Sequence, residues 1–161
     1  MNTHHGGTET RRTIGLLSEA LTESIIGAAI EVHRELGPGL LESVYEECMC
    51  QELQLREIPF MAQLELPVVY KGRKTGCKYR IDLIVADEVI VELKSVERLL
   101  SVHEAQLLTY LKLTGKHVGL IVNFNVPILH RGILRRVLMT AKFLRASVSP
   151  WWVFSRRSGN A

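Results

Sequence analysis

The stretch from Tyr79 to Lys94 constrains this chain more than any other. Tyr79-Arg80-Ile81-Asp82-Leu83-Ile84-Val85 and Val89-Ile90-Val91-Glu92-Leu93-Lys94 are apolar, β-branched runs separated by the polar turn Ala86-Asp87-Glu88. Runs of this kind read as buried strands of a central sheet, joined as a hairpin. Charged side chains are rarely buried unless they are paired or hold a metal. Asp82, Glu92 and Lys94 therefore need a reason beyond folding. Glu92 and Lys94 alternate along one strand and share a face. With the two strands adjacent, Asp82 lies beside Glu92. Two carboxylates and an ammonium at one spot on a sheet make either a divalent-metal site with a cation next to it or a salt-bridged structural trio.

The elements around this hairpin follow from periodicity. Ile25, Ile26, Ala29, Val32 and Leu36 recur at helical spacing, which predicts a helix from Thr22 to Leu36 with Thr22 as N-cap and Gly37-Pro38-Gly39 as its stop. A second helix is expected over Leu40–Leu55, with Leu41, Val44, Tyr45, Cys48, Met49 and Leu53 on its apolar side. Glu42 falls in its first turn, where complementing the helix dipole is worth about 0.3–1 kcal/mol and is reason enough for an acid. Residues 63–70 alternate as a strand broken by Pro67, which argues for an edge position or an irregularity. Lys71 to Gly76 reads as a basic turn leading into the hairpin. A third helix is expected over Val102–Leu113 with Gly115 as its stop, and it sets Gln106 and Tyr110 on one face. Val118–Phe124 is a further buried strand. Residues 128–138 admit another strand, and 139–147 a short helix. The order is α-α-β-β-β-α-β. A helix between the third and fourth strands permits a parallel crossover, so the expected class is α/β with a mixed central sheet.

A chain of 161 residues is expected to form one domain over residues 18–147, behind a flexible lead-in (1–17) and before an aromatic and basic tail (148–161). Every apolar run is interrupted by charge well short of the roughly 20 residues of a membrane span, and the N-terminus lacks the apolar core of a signal peptide. Cys48, Cys50 and Cys77 are odd in number and lack metal-ligand spacing, so free thiols in a cytoplasmic protein are expected. Charge is unevenly spread. Through Glu104 there are 11 Lys and Arg against 17 Asp and Glu, and after it 9 basic residues with no acid. Such asymmetry suggests a surface for a polyanion, or a solvated basic tail.

The chemistry of the trio is that of phosphodiester hydrolysis. Asp82 and Glu92 are oxygen donors suited to Mg²⁺ or Mn²⁺, which polarise a phosphoryl oxygen and acidify bound water. Lys94 is placed to orient water or to offset charge growing on phosphorus. Asp82 followed by Glu92-Leu93-Lys94 resembles the D…(D/E)-x-K signature of the PD-(D/E)XK nuclease superfamily, with Arg80-Ile81 standing where a Pro would precede the Asp. Gln106-Leu-Leu-Thr-Tyr110 is similar to the Q-x₃-Y motif of its RecB-type branch. Gly39-Leu-Leu-Glu42-Ser-Val-Tyr45 resembles the signature of the GxxExxY family within that superfamily, as do His103–Lys112 and Gly119–Phe124.

The resemblance spans about residues 20–138 and implies a restriction-endonuclease-like core. It implies Asp82, Glu92 and the Leu93 carbonyl as metal ligands, and Lys94 as the catalytic lysine. Glu42 becomes a residue that completes or supports the metal site, and Gln106 and Tyr110 become active-site residues that position substrate or the lysine. The expected activity is that of a metal-dependent nuclease acting on nucleic acid, DNA ahead of RNA. Lys71, Arg73, Lys74, Arg131, Arg135 and Arg136 are the candidate phosphate contacts. The competing expectation is a non-catalytic module that keeps the fold and binds nucleic acid or protein. A homodimer, or a protein partner docked on Trp151-Trp152-Val153-Phe154, is the further partner expectation.

Overall fold

The computed structural model of the chain describes residues 6–138. Helices α1 (Gly6–Leu36) and α2 (Glu42–Leu55) precede strands β1 (Phe60–Tyr70), β2 (Arg73–Val85) and β3 (Val89–Lys94). Helix α3 (Ser101–Thr114), β4 (Val118–Asn123), a 3₁₀ turn at Leu129–Gly132 and β5 (Ile133–Val137) complete the order. The five strands form one open sheet in the order β1-β2-β3-β4-β5. Only β3 and β4 run parallel, and α3 is the crossover that a parallel pair requires. The result is the expected α/β architecture with a mixed central sheet, extended by β5 within residues 128–138, where the sequence admits a strand.

Both faces of the sheet are covered. Leu83, Val85, Val91, Leu93, Leu120 and Val122 pack against Ile25, Val32, Met49 and Leu53 of α1 and α2. On the other face Ile84, Ile90 and Ile121 pack against Leu107, Tyr110 and Leu111 of α3. Strands β3 and β4 are therefore apolar on both sides, which is why they read as continuous runs rather than alternating ones. At Gly119 a Cβ would stand 2.6 Å from Leu107 Cδ1, so the missing side chain is what lets α3 lie this close to β4.

The differences from expectation have local causes. Helix α1 starts at Gly6 rather than Thr22, and Thr22 lies inside it instead of capping it. Its buried side chains include Ser18 and Thr22, two polar residues that a search for apolar spacing passes over. Strand β2 starts at Arg73, so the expected turn through Gly76 shrinks to Lys71-Gly72, both with positive φ (48° and 77°) as a tight two-residue hairpin demands. Residues 73–78 are exposed, and no apolar alternation marks them as strand. Pro67 does lie on the edge strand, and the β1–β2 register shifts between Pro67 and Val69. The three cysteines are free thiols. Among the described residues no helix is long and apolar enough to cross a membrane. The helix expected over 139–147 and the Trp151–Phe154 cluster lie outside the described residues.

Candidate active site

The site begins where the β2–β3 ladder ends. Pairing runs Val85↔Val89, Ile84↔Ile90, Leu83↔Val91 and stops. Beyond that point acidic side chains take over main-chain groups. The Asp82 N–H donates to Glu92 Oε1 at 3.4 Å, and the Leu93 N–H donates to Asp82 Oδ2 at 2.9 Å. Strand β2 also changes face here, since Ile81 packs with α3 while Leu83 packs with α1 and α2. Opposite Asp82, between the pairs Ala62↔Leu83 and Leu64↔Ile81, Gln63 of β1 has φ 56°. The irregularity turns Asp82 into the fork between the parting strands, beside Glu92.

Both carboxylates are buried, Asp82 at 7% and Glu92 at 1% exposure. Burial, then the neighbouring Asp82 charge, pushes the Glu92 carboxyl up to about 7, against the opposing pull of Lys94 and of the Asp82 N–H. Lys94 Nζ lies 3.4 Å from Glu92 Oε2 and 3.9 Å from Glu42 Oε1. One ammonium thus faces an acid pair that it does not fully offset.

Glu42 reaches Lys94 because of the turn before α2. Gly37 and Gly39 take φ of 71° and 92°, a region where a side chain is strained. The turn is fastened by Tyr45, whose hydroxyl donates to the Gly37 carbonyl at 2.6 Å and accepts from the Leu40 N–H at 3.2 Å. The buried Tyr45 ring stacks on Phe124 with centroids 4.3 Å apart. Ser95, next to Lys94, donates to the Leu40 carbonyl at 2.6 Å, tying the turn to the end of β3. Gly39, Glu42 and Tyr45 thus have three separate jobs: turn, ion pair and fastener.

Gln106 and Tyr110 share one face of α3 as their spacing predicts. Gln106 Nε2 donates to the Tyr110 hydroxyl at 2.7 Å, and that hydroxyl donates to the Arg80 carbonyl at 3.1 Å. The Tyr79 and Tyr110 rings meet edge to face, 5.9 Å apart. Burial, foremost, raises the Tyr110 phenol, and the Glu92 and Asp82 charges add to it, so the hydroxyl stays protonated. Tyr110 therefore braces β2 just ahead of Asp82, where β3 has withdrawn. Asp82, Glu92, Lys94, Gln106, Tyr110 and Glu42, with Lys78, Tyr79 and Arg80, line one open cleft of about 300 Å³.

The oxygen donors in the fork are Asp82 and Glu92. Among the described residues no three His, Cys, Asp or Glu side chains gather into a group able to hold a metal alone. A buried pair of acids, one of them driven towards its neutral form by burial and then by its neighbour's charge, nevertheless suits a hard divalent cation. Mg²⁺ is commonly bound by one or two carboxylates and keeps several waters.

The basic candidates do not form one patch. Lys71, Arg73 and Lys74 sit at the tip of the β1–β2 hairpin, and Arg131, Arg135 and Arg136 lie on or before β5, at the other edge of the sheet. Arg136 is held by Glu104 of α3, Nη2 to Oε2 at 2.9 Å. This pairing lowers the Glu104 carboxyl. Sequence reasoning passed over the cleft residues Lys78, Tyr79 and Arg80, whose only signal was their place ahead of Asp82. It also passed over Asn123, which accepts the Val96 N–H at 3.0 Å and donates to the Val96 carbonyl at 2.8 Å, fixing the chain just after Lys94. A polar residue inside the apolar run 118–124 was the available clue. Comparison with curated proteins and with solved structures found no match. A family model of the PD-(D/E)XK nuclease superfamily matches residues 19–137.

Proposed function

We infer that this chain, which belongs to the PD-(D/E)XK nuclease superfamily, is a Mg²⁺- or Mn²⁺-dependent nuclease hydrolysing phosphodiester bonds, with DNA ahead of RNA as substrate. The observation that carries this reading is the fork itself, where two buried carboxylates and Lys94 meet at the floor of an open cleft. Asp82 and Glu92 are the metal ligands of the proposal, joined by the Leu93 carbonyl. A bound ion would polarise a phosphoryl oxygen and acidify water. Lys94, 3.4 Å from Glu92, donates hydrogen bonds to the attacking water or to the oxygen on which charge grows. Glu42 holds that ammonium from its other partner position and supports the site without entering the fork. Gln106 and Tyr110 keep β2 and hence Asp82 in place. The separate jobs of Gly39, Glu42 and Tyr45 favour the GxxExxY branch of the superfamily.

Calorimetric titration of Mn²⁺ into the wild type and into Asp82→Ala/Glu92→Ala tests the ligands without any guess at substrate. Heat of binding from the wild type alone is expected. Cleavage of DNA in Mn²⁺ should fall roughly 10²–10⁴-fold in Lys94→Ala with the fold intact. Undiminished cleavage by that variant would overturn the assignment. Binding of nucleic acid that ignores both metal and Asp82→Ala, with no cleavage, would support the non-catalytic module instead.

A further inference from the structure

Strands β1 and β2 outrun the sheet. Past Leu83↔Val91 nothing pairs with β2 on its β3 side, yet its pairing with β1 continues to Tyr70↔Arg73. The two strands form a ribbon whose length, over six residue steps from Leu64 to Tyr70, is about 20 Å. Its register shift lies midway. Four residue steps of β2, Lys74 to Lys78, span two of β1, Val69 to Pro67. Thr75 Oγ1 bridges the shift, accepting from the Cys77 N–H and donating to the Val68 carbonyl. Bulges of this kind bend a ribbon and strengthen its twist.

The ribbon is also basic. Residues 65–80 contain five cations (Lys71, Arg73, Lys74, Lys78 and Arg80) and one acid, Glu65. Glu65 is paired with Lys78. Arg73, Lys74 and Arg80 form no ion pair with a described residue, and Lys71 lies over the Tyr70 ring, 5.4 Å from its centroid. The root of the ribbon is the cleft wall, since Lys78, Tyr79 and Arg80 line the same cavity as Asp82, Glu92 and Lys94. Lys116, Arg131, Arg135 and Arg136, described residues of the C-terminal third, are placed differently. Lys116 is spent on Asp87 and Arg136 on Glu104, while Arg131 and Arg135 sit by the far edge strand.

We propose that the β1–β2 ribbon is a polyanion-binding arm that holds the phosphodiester backbone of nucleic acid and leads it into the cleft, with Lys71, Arg73 and Lys74 as its outer contacts and Arg80 as its inner one. The proposal rests on the nuclease reading for its substrate, but its geometry stands apart from the metal site. Laid along the axis of a duplex, an arm of about 20 Å spans some six phosphates of one strand, which recur every 3.4 Å of axial rise. Contacts of this sort carry no base information, so the arm confers affinity and steep salt dependence rather than sequence preference.

The test is equilibrium binding of a labelled DNA duplex two helical turns long, in EDTA, across a salt series from about 50 to 200 mM. The variant is Lys71→Asn/Arg73→Ala/Lys74→Ala. Asparagine is chosen at position 71 because it tolerates the positive φ of the turn. All three side chains are exposed, so the melting temperature should not move and serves as the fold check. The slope of log K against log salt should become shallower by about 1 for each phosphate-binding side chain removed, and affinity should fall at least about tenfold at 0.1 M salt. An unchanged slope overturns the arm, as does the same loss from Arg131→Ala/Arg135→Ala with the arm variant unaffected. No DNA binding by the wild type also overturns it. Failure of the nuclease reading looks different: arm-dependent binding with no cleavage in Mn²⁺ removes the nuclease and leaves the arm. Cleavage with arm-indifferent binding does the reverse.

Discussion

Among the described residues, Glu92 is the one whose chemistry departs furthest from its ordinary state. Its carboxyl is raised from 4.5 to about 7, chiefly by burial and then by Asp82. The unfolded chain loses that proton near 4.5 and the folded chain near 7. Above about 7 both states are ionised and the fold bears the whole cost of the buried acid pair. As the pH falls from 7 to 4.5 the fold takes up a proton that the unfolded chain does not, and stability rises. The full difference is about 3 kcal/mol. Glu92→Gln keeps an acceptor for the Asp82 N–H and removes the charge. In EDTA it should raise the melting temperature at about pH 8, and the gain should shrink to little below about pH 5. Melting curves of the two proteins at both pH values check this; a destabilised variant at the higher pH would refute the account of the fork as charge-strained. A buried acid perturbed in this way, in a cleft and beside a second charge, is a candidate functional residue.

At the scale of elements, the site is made by α3 supporting β2. Arg80 has its carbonyl on the side β3 has left, and the Tyr110 hydroxyl supplies the hydrogen bond the sheet no longer provides. Tyr110 is thus proposed as a positioning residue for Asp82, acting through the β2 main chain. Tyr110→Phe keeps the ring against Tyr79 and should cost about 1 kcal/mol of stability. Its effect on Mn²⁺ affinity should be larger, about 10- to 100-fold. If instead only KM for DNA rose while the metal affinity held, Tyr110 would be a substrate contact and the brace would be wrong. Much of this element layout was legible in the sequence. The charged residues inside apolar runs marked the fork, Pro67 marked the edge strand, and the spacing of Gln106 and Tyr110 marked a shared face. What stayed hidden was held by polar or main-chain contacts. Ser18 and Thr22 continue the buried stripe of α1 without being apolar. The outer half of β2 is strand only through its ladder with β1. Glu42 is the intermediate case: its place in a first turn explains an acid there equally well by the helix dipole, and only the tie from Ser95 to Leu40 shows why that turn lies beside Lys94.

For the whole molecule, burial divides one sheet into two parts. Strands β3 and β4 are buried along their length but for the partly exposed Lys94 at the cleft, and lie between α1 and α2 on one face and α3 on the other. The ribbon beyond Leu64 and Ile81 has solvent along much of its surface and one partner per strand. Beyond Leu66 and Tyr79, whose side chains pack against the core under α3, its amides can open without disturbing either core, whereas those of β4 cannot. Native-state hydrogen exchange should therefore separate the two. Amides of Leu120, Ile121 and Val122 should exchange only through global unfolding, with protection that falls as denaturant is added. Amides of the ribbon that pair only across β1 and β2 should exchange far faster and with little denaturant dependence. Common protection across both regions would mean that the ribbon is part of the cooperative fold. Asp82 lies at the boundary between these regimes, and its own N–H and that of Leu93 are held by carboxylates rather than by the ladder. If the ribbon exchanges independently of β3 and β4, Asp82 and Leu93 stand where the two regimes meet, and the exchange rates of those two amides report directly on that root.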